Sequence, residues 1–318
     1  MGIKGLLKAL SPYSNQVNIR DYRGQKAAVD ILCWLHRGSY SCSRELAEGI
    51  GSTKYIKFCL NMLDILINNG VTPLVVFDGF ELPGKANTNI MRRQTRLQNL
   101  MQARLADDAG DTKTAIKLYQ QAVSVTPSMI IALQEALTKH NIEYFVSPYE
   151  SDAQMAFLSI GNYVDFVVTE DSDLVVYGSR CVLYKLDVNG DANEIYTASI
   201  FQPPTDINHN NSDIEFDFLH WNQDQFIMFC CLCGCDYTTP KNKIRNLGMK
   251  TAYKIVSKSK TLKVLIIDLK HTYGDKVTDE FINEVIYMIC MIYILQNVIN
   301  YNYNYIFIYV HYRYIKLG

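Results

Sequence analysis

Short apolar segments alternate with longer amphipathic segments up to about residue 185, and this alternation limits the folds that the chain can adopt. The strand candidates are residues 26–29, 74–77, 143–146, 166–168 and 182–185. The segments between these strand candidates have the apolar spacing of amphipathic helices, for example over residues 53–69 and 128–140. Strands that alternate with helices in this way are typical of a parallel sheet. The pattern therefore predicts an α/β fold, with a parallel sheet flanked by helices.

Acidic residues follow four of these strand candidates, and two of the four are followed by a pair of acids. Ligands of an open parallel sheet bind beyond the carboxyl ends of its strands. If the four strands are neighbours, six carboxylates therefore converge on one edge of the sheet. A seventh acid lies in the motif GCDY, after a helical segment at 224–233. The candidate metal ligands are Asp30, Asp78, Glu150, Asp152, Asp171, Asp173 and Asp236.

Crowded carboxylates repel each other and raise each other's pKa values, so a cluster of this kind needs a cation. Oxygen ligands suit Mg²⁺ and Mn²⁺, and a pair of such ions can activate water and stabilise the leaving oxygen of a phosphodiester. A single acid after a strand is more often a turn former or a helix cap. Acids after four strands favour a metal site, and the sequence therefore predicts a divalent-metal centre at this edge of the sheet.

Other chemistries find little support in the sequence. The chain contains no GxxxxGK[ST] phosphate-binding loop and no HExxH zinc motif. The run CCLCGC at 230–235 lacks the second, distant cysteine pair of a zinc site, so we expect a buried helix face there. Nine scattered cysteines favour free thiols in a reducing compartment. The apolar stretch at 285–295 is too short to span a membrane, and we expect it to form a buried helix.

The net charge of −1 does not itself indicate a polyanionic partner, but two segments are locally basic. Residues 85–104 and 241–263 contain several lysines and arginines and no acid. Two basic segments beside an acidic metal site favour a nucleic acid, whose phosphates need cations while the metal needs carboxylates. The second segment has a helix–turn–helix pattern, in which Gly248 would let phosphates approach backbone N–H groups.

The motifs MGIKGLL, AVDILCWLH, VFDGFELPGK, PYESDAQ, TEDSDL and GCDY occur in that order. Together they resemble the flap endonuclease/XPG superfamily of structure-specific 5′ nucleases, over roughly residues 1–265. PYESDAQ and TEDSDL are similar to the exonuclease 1 branch. The resemblance implies a PIN-like sheet with a helical arch and a DNA-binding helix–two-turn–helix element. It also implies that the seven acids bind two Mg²⁺ ions, for which Mn²⁺ can substitute, and that the helix–two-turn–helix binds K⁺.

The resemblance further implies a 5′→3′ exonuclease of double-stranded DNA that also cuts 5′ flaps. Lys85 and Arg92 would steer the scissile phosphate. The expected DNA contacts are Gly2, His36, Arg93, Arg96, Lys241, Lys243, Gly248 and Lys250. We expect a nuclear monomer that is not bound to a membrane, acts in mismatch repair, end resection and recombination, and binds mismatch-repair proteins. The alternatives are a flap- or gap-specific endonuclease and a catalytically impaired protein that binds branched DNA.

The predicted regions are an N-terminal nuclease region at 1–99, the arch at 85–125, an internal nuclease region at 138–225 and the helix–two-turn–helix at 226–265. Leu32 replaces an aromatic residue of the branch, and Asn246 replaces a usual glycine. An insertion is expected within 202–217. The low-complexity tail at 297–318 departs from the family, and we expect it to come from a truncated or misassembled gene model.

Overall fold

The computed structural model describes residues 2–81, 85–202, 215–234 and 244–297, and all structural statements below concern these ranges. The strands are β1 Asn15–Asn18, β2 Lys26–Asp30, β3 Thr72–Phe77, β4 Tyr144–Val146, β5 Phe166–Thr169, β6 Cys181–Tyr184 and β7 Asp191–Tyr196. Each of the five predicted strands is present, with bounds that differ by at most two residues. The expected α/β fold is confirmed.

Within the described ranges the strands form one sheet in the order β1-β7-β6-β5-β2-β3-β4. The five strands β6, β5, β2, β3 and β4 are parallel, which confirms the parallel part of the prediction. The sequence analysis did not predict β1 and β7, which pair antiparallel at one side of the sheet. β1 is polar, and the apolar residues of β7 are interrupted by polar ones, so neither strand has the apolar run that identified the parallel strands.

The helices are α1 Leu6–Ala9, α2 Ile31–Ser39, α3 Ser43–Ala47, α4 Lys54–Asn68, α5 Ala86–Asp108, α6 Thr112–Ala122, α7 Pro127–Lys139, α8 Ser151–Ile160, α9 Asp173–Val176, α10 Gln223–Cys233, α11 Met249–Val256, α12 Leu262–Tyr273 and α13 Asp279–Asn297. They cover both faces of the sheet. One core packs α2, α4 and α7 against it, and the other packs α8, α10, α11 and α13. Two covered faces explain why the inner parallel strands β6, β5, β2 and β3 are largely apolar.

The long helical segment expected from residue 85 consists of α5 and α6, which meet at a corner at Gly110. This glycine has a φ of +77°, in the left-handed region that favours glycine. Asp111 then caps α6 by accepting a hydrogen bond from the Thr114 N–H group at 3.1 Å. Ala103 packs with Tyr119 in a small separate core between the two helices. The segment predicted as the arch is therefore two helices that meet at a corner, and its role over DNA stays a prediction.

The C-terminal part of the described chain supports the second core. Cys230 and Cys231 are buried on α10, which confirms the expected helix face, and Val285 and Ile292 are buried on α13.

None of the helices in the described ranges has the length and apolar character needed to cross a membrane. The expected insertion falls largely on residues 203–214, and the predicted tail on 298–318, and both segments lie outside the described residues.

Candidate metal centre

The sheet brings six of the seven predicted acids to one edge. Strands β5, β2, β3 and β4 are successive neighbours and parallel, so their carboxyl ends lie side by side. Asp30 ends β2 and Asp78 follows β3. Glu150 precedes α8 after β4, while Asp171 follows β5. Asp152 and Asp173 lie in the first turns of α8 and α9, and Asp236 lies outside the described residues.

Three of these acids are close enough to share one cation. One carboxylate oxygen from each of Asp152, Asp171 and Asp173 lies within 4.8 Å of the other two. At an effective dielectric constant of about 20, unit charges at this distance repel by roughly 3 kcal/mol per pair. The Asp173 N–H group donates to Asp171 Oδ1 at 3.0 Å, which fixes the spacing of the two residues. These oxygens are arranged as a ligand set for a hard divalent cation.

Asp30 lies deeper than the other acids and is only 4% exposed. Its Oδ2 atom accepts hydrogen bonds from Cys33 Sγ and Thr169 Oγ1, both at 2.8 Å. Although Asp30 is at the N-terminus of α2, its side chain makes no capping hydrogen bond. Capping, the common role of such a residue, therefore does not account for it. Both hydrogen bonds orient the carboxylate towards the shared edge of the sheet.

Burial and the repulsion between neighbouring carboxylates both raise pKa values in the cluster. Burial raises the pKa of Asp30 to about 6, against the two hydrogen bonds that lower it, and the charges of Asp78 and Asp171 raise it further. Burial also raises the pKa of Asp152 well above its ordinary value, and the neighbouring carboxylates add to the shift, Asp171 most strongly. A divalent cation would reverse this pattern by favouring the ionised forms. The donor set therefore fits the Mg²⁺ or Mn²⁺ predicted from the sequence.

A lysine already contacts this cluster. Lys85 Nζ lies 2.5 Å from Glu150 Oε1, and the two side chains are only 12% and 15% exposed. Lys85 is the N-terminal capping residue of α5 and Glu150 is that of α8, so this ion pair connects the starts of the two helices. The lysine that was predicted to steer a phosphate therefore lies beside a predicted metal ligand.

Gly2 lies against the cluster, as a residue predicted to be near the site should. A Cβ atom at this position would fall 2.2 Å from Asp171 Oδ1 and 2.9 Å from Asp173 Oδ1, and the φ of +76° also favours glycine. The neighbouring Ile3 N–H group donates to Ser172 Oγ at 2.9 Å. No larger residue fits at position 2 without displacing the carboxylates, but the contact of Gly2 with DNA stays a prediction.

A cavity of about 580 Å³ lies beside the cluster and brings together three further predicted residues, His36, Arg92 and Arg96. Burial lowers the pKa of His36, and the nearby Arg96 charge lowers it further. The other lining residues are Cys33, Arg37, Tyr40, Glu170 and Lys185. Because cations outnumber the single acid in this lining, the cavity favours an anion.

The remaining predicted DNA contacts are distributed differently. Arg93 is exposed on α5 and is not among the residues that line this cavity. Gly248 begins α11, and nothing lies within 4 Å of where its Cβ would be, so a ligand could approach there. The exposed Lys250 pairs with Glu215 at 2.6 Å. Lys241 and Lys243 lie outside the described residues.

Leu32 and Asn246, the two residues that differ from the family pattern, both lie in the described part of the chain. Leu32 is partly buried and packs against the core formed with α2, α4 and α7. Asn246 has a φ of +70°, so it adopts the left-handed backbone conformation that a glycine would take. Asparagine tolerates this region better than most residues. The turn before α11 therefore keeps a glycine-like backbone, although K⁺ binding there stays a prediction.

Several residues at the site were missed from the sequence. Cys33 and Thr169 orient Asp30, and Tyr40 and Lys185 line the cavity. Cys33 could have been found, because it lies one helical turn after Asp30. Lys185 could not have been identified from the sequence, because it reaches this edge of the sheet only through the pairing of β6 with β5.

Comparison with known proteins identifies two matching domain families and several similar proteins. The XPG N-terminal domain family matches residues 1–99, and the XPG I-region family matches residues 141–236. Exonuclease 1 of Oryza sativa subsp. japonica is 34% identical over 272 residues, which cover 86% of this chain and 31% of that protein. Exodeoxyribonuclease 1 of Saccharomyces cerevisiae is 34% identical over 284 residues, which cover 89% of this chain and 39% of that protein.

The chain thus spans about a third of the length of these curated relatives. Among solved structures, the catalytic core of Rad2 in complex with DNA substrate superposes with a TM-score of 0.62 at 18% identity. The superposition covers 93% of this chain and 85% of that one. At this identity the likeness is evidence for the fold alone, and it agrees with the seven-stranded α/β architecture. Together, the two domain matches and the curated relatives show that the chain belongs to the flap endonuclease/XPG superfamily, on its exonuclease 1 branch.

Proposed function

We propose that this chain is a divalent-metal-dependent nuclease that degrades double-stranded DNA from a 5′ end or nick in the 5′→3′ direction and also cuts 5′ flaps. The observation that carries the proposal is the set of six carboxylates at the ends of four adjacent parallel strands. The curated relatives that match the chain are named exonuclease 1 and exodeoxyribonuclease 1. The Rad2 core was solved with a DNA substrate, which supports DNA as the ligand class.

The metal ligands are the acids of the cluster, with Asp152, Asp171 and Asp173 as the group whose geometry supports a shared ion. We assign the same role to Asp30, Asp78, Glu150 and Asp236, and we propose two Mg²⁺ ions. When bound, these ions supply an activated water and stabilise the charge that develops on the leaving oxygen. A K⁺ ion at the turn before α11 is a separate part of the proposal.

The other residues act on the DNA. Lys85 and Arg92 bind the scissile phosphate and draw it towards the carboxylate edge, which lowers the repulsion between phosphate and cluster. His36 and Arg96 line the cavity beside the cluster and hold the unpaired 5′ end. Gly2 keeps the backbone close to Asp171 without adding a side chain. The basic residues at 241–250 contact the backbone of the intact duplex, where each phosphate contact adds salt-dependent affinity.

The names of the relatives support a proposed biological setting. The names exonuclease 1 and DNA damage-inducible protein among the matches support a role in DNA repair. We propose that the protein acts in the nucleus as a monomer, in mismatch repair, end resection and recombination, with mismatch-repair proteins as partners.

Replacing Asp173 with alanine tests the proposed chemistry. Removal of a ligand from the shared group should reduce the cleavage of nicked duplex by at least about a hundredfold in MgCl₂. Separate 5′ and 3′ labels on the nicked strand report the direction of degradation. The Asp64→Ala variant, with an exposed acid changed on α4, is the matched control and should retain activity. An active Asp173→Ala protein would contradict the assignment.

The same assay separates the alternatives. A flap- or gap-specific endonuclease would cut a 5′ flap but leave a recessed 5′ end intact at equal concentration. A catalytically impaired DNA-binding protein would bind both substrates without turnover in either MgCl₂ or MnCl₂. The proposal expects cleavage of both substrates by the wild-type protein.

A further inference from the structure

Phe80 combines a large apolar side chain with strong exposure at the metal centre. Its relative exposure is 80%, the highest among the large exposed apolar side chains of the described residues. Aromatic rings normally bury most of their surface in a core or an interface. Isolated exposed apolar residues are common on proteins, so the position of the ring has to decide whether it has a function.

The backbone that carries Phe80 is held firmly. The Gly79 N–H group donates to the Tyr149 carbonyl oxygen at 2.6 Å, and the Phe80 N–H group donates to the Pro148 carbonyl oxygen at 3.0 Å. A Cβ atom on Gly79 would lie only 1.9 Å from the Ser147 carbonyl oxygen, so glycine is required for this close approach. The exposed ring therefore projects from a main chain that is fixed against the segment after β4.

That segment and the end of β3 both carry acids of the cluster. Phe80 lies two residues after Asp78, and its hydrogen-bond partner Pro148 lies two residues before Glu150. The two connections are tied together again where the Ser151 N–H group donates to Asp78 Oδ1 at 2.7 Å. Two residues span at most about 7 Å of chain. The ring therefore lies at the rim of the carboxylate cluster, between the ends of two strands that supply acids.

We propose that Phe80 is a stacking platform for an unpaired nucleobase next to the phosphate held at the cluster. The inference rests on the proposed nuclease function and adds a residue that positions the substrate. A phosphate at the cluster carries its base within a few ångströms, where an exposed ring at the rim can meet the base face. Stacking on an aromatic side chain is nearly independent of the base, which suits an enzyme that acts on many sequences. A protein partner on Phe80 would instead have to cover the carboxylates that the reaction needs.

The test measures the binding of two DNA substrates in CaCl₂, which replaces magnesium so that the DNA stays intact. One substrate is a duplex with a short 5′ flap whose first unpaired base is 2-aminopurine, and the other is a fully paired blunt duplex. Phe80→Ala should weaken binding of the flap substrate by about 5- to 100-fold and leave the blunt duplex unchanged. The 2-aminopurine fluorescence should be quenched by the wild-type protein and remain bright with Phe80→Ala, because stacking quenches this base.

Two further variants show whether the ring itself is responsible. Phe80→Trp should restore both affinity and quenching, whereas Phe80→Leu, which is apolar but has no ring, should behave like Phe80→Ala. Ile67→Ala removes an exposed apolar side chain near the end of α4, at the opposite edge of the sheet, and is the matched control. Equal flap affinities of the wild type and Phe80→Ala, or equal losses on both substrates, would overturn the inference while leaving the nuclease proposal intact. A wild-type protein that binds neither substrate would refute both.

Discussion

Asp30→Asn should stabilise the metal-free protein near neutral pH, although it removes a predicted metal ligand. Asp30 is 4% exposed, and burial together with the neighbouring carboxylates raises its pKa to about 6. An unfolded aspartate titrates near 3.8. The difference of about 2 pKa units corresponds to roughly 3 kcal/mol at pH 7. Because the nearby acids share this repulsion, we expect Asp30→Asn to raise the free energy of unfolding of the metal-free protein by about 1–3 kcal/mol.

The pH dependence follows from the direction of the shift. Because the folded pKa is raised, the folded state favours the protonated carboxyl group. This contribution to stability is complete below the unfolded pKa and is lost as the pH rises through about 6. Asparagine stays neutral and avoids the loss, while its side-chain oxygen can still accept from Cys33 and Thr169. The advantage of the variant should therefore be present at about pH 7.5 and absent at about pH 4.

Thermal unfolding in EDTA and in excess MgCl₂ measures the effect. In EDTA at about pH 7.5 we expect the melting temperature of Asp30→Asn to rise by roughly 2–8 °C. Excess MgCl₂ should reverse the order, because ligand binding stabilises the wild type by about 2.7 kcal/mol at a hundred times the Kd. Asp64→Asn, which changes an exposed acid on α4, should differ from the wild type in neither condition. A variant that is less stable than the wild type in EDTA at this pH would refute the electrostatic reasoning.

Two further substitutions probe the same edge of the sheet. Lys85→Ala breaks the largely buried pair with Glu150, and should lower metal-free stability by about 2–4 kcal/mol while enlarging the melting shift on addition of MgCl₂. An unchanged magnesium shift would show that the lysine does not offset the charge of the cluster. Gly79→Ala places a Cβ 1.9 Å from a backbone carbonyl oxygen, and should cost about 3 kcal/mol or more in urea unfolding. A urea midpoint within error of the wild-type value would contradict the close approach seen at this glycine.

The central strands and the six acids at their ends could be predicted from the sequence for a clear physical reason. A strand buried on both faces is a continuous apolar run, and the acid that ends it contrasts sharply with that run. A single acid after a strand could equally have been a helix cap, and only the recurrence of acids after four strands favoured a metal site. Asp30 and Glu150 make no side-chain capping hydrogen bond, which agrees with that interpretation. The antiparallel strands β1 and β7 carried no such contrast, because β1 is polar and the apolar residues of β7 are interrupted by polar ones.

The contacts around the acids were harder to predict, because they join residues that are far apart in sequence. Thr169 donates to Asp30 across 139 positions, and Ile3 donates to Ser172 across 169. Such contacts depend on which strands are neighbours and on the exact register. Lys85 was assigned to phosphate binding by resemblance, but nothing in the sequence indicated that it would pair with Glu150.

The metal centre is a destabilising element that the rest of the fold has to support. When these acids are ionised, each close pair among Asp152, Asp171 and Asp173 repels by roughly 3 kcal/mol at an effective dielectric constant of about 20. A whole domain of this kind is stable by only about 5–15 kcal/mol. Without metal, that repulsion is offset by the lysine at Glu150, by backbone donors to the carboxylates and by two apolar cores on opposite faces of the sheet. With metal bound, the same carboxylates are ligands, and the relief of their repulsion contributes to the free energy of metal binding. Metal affinity and fold stability in this protein are therefore linked. A substitution that removes negative charge from the cluster should raise the stability of the metal-free protein and lower its affinity for metal.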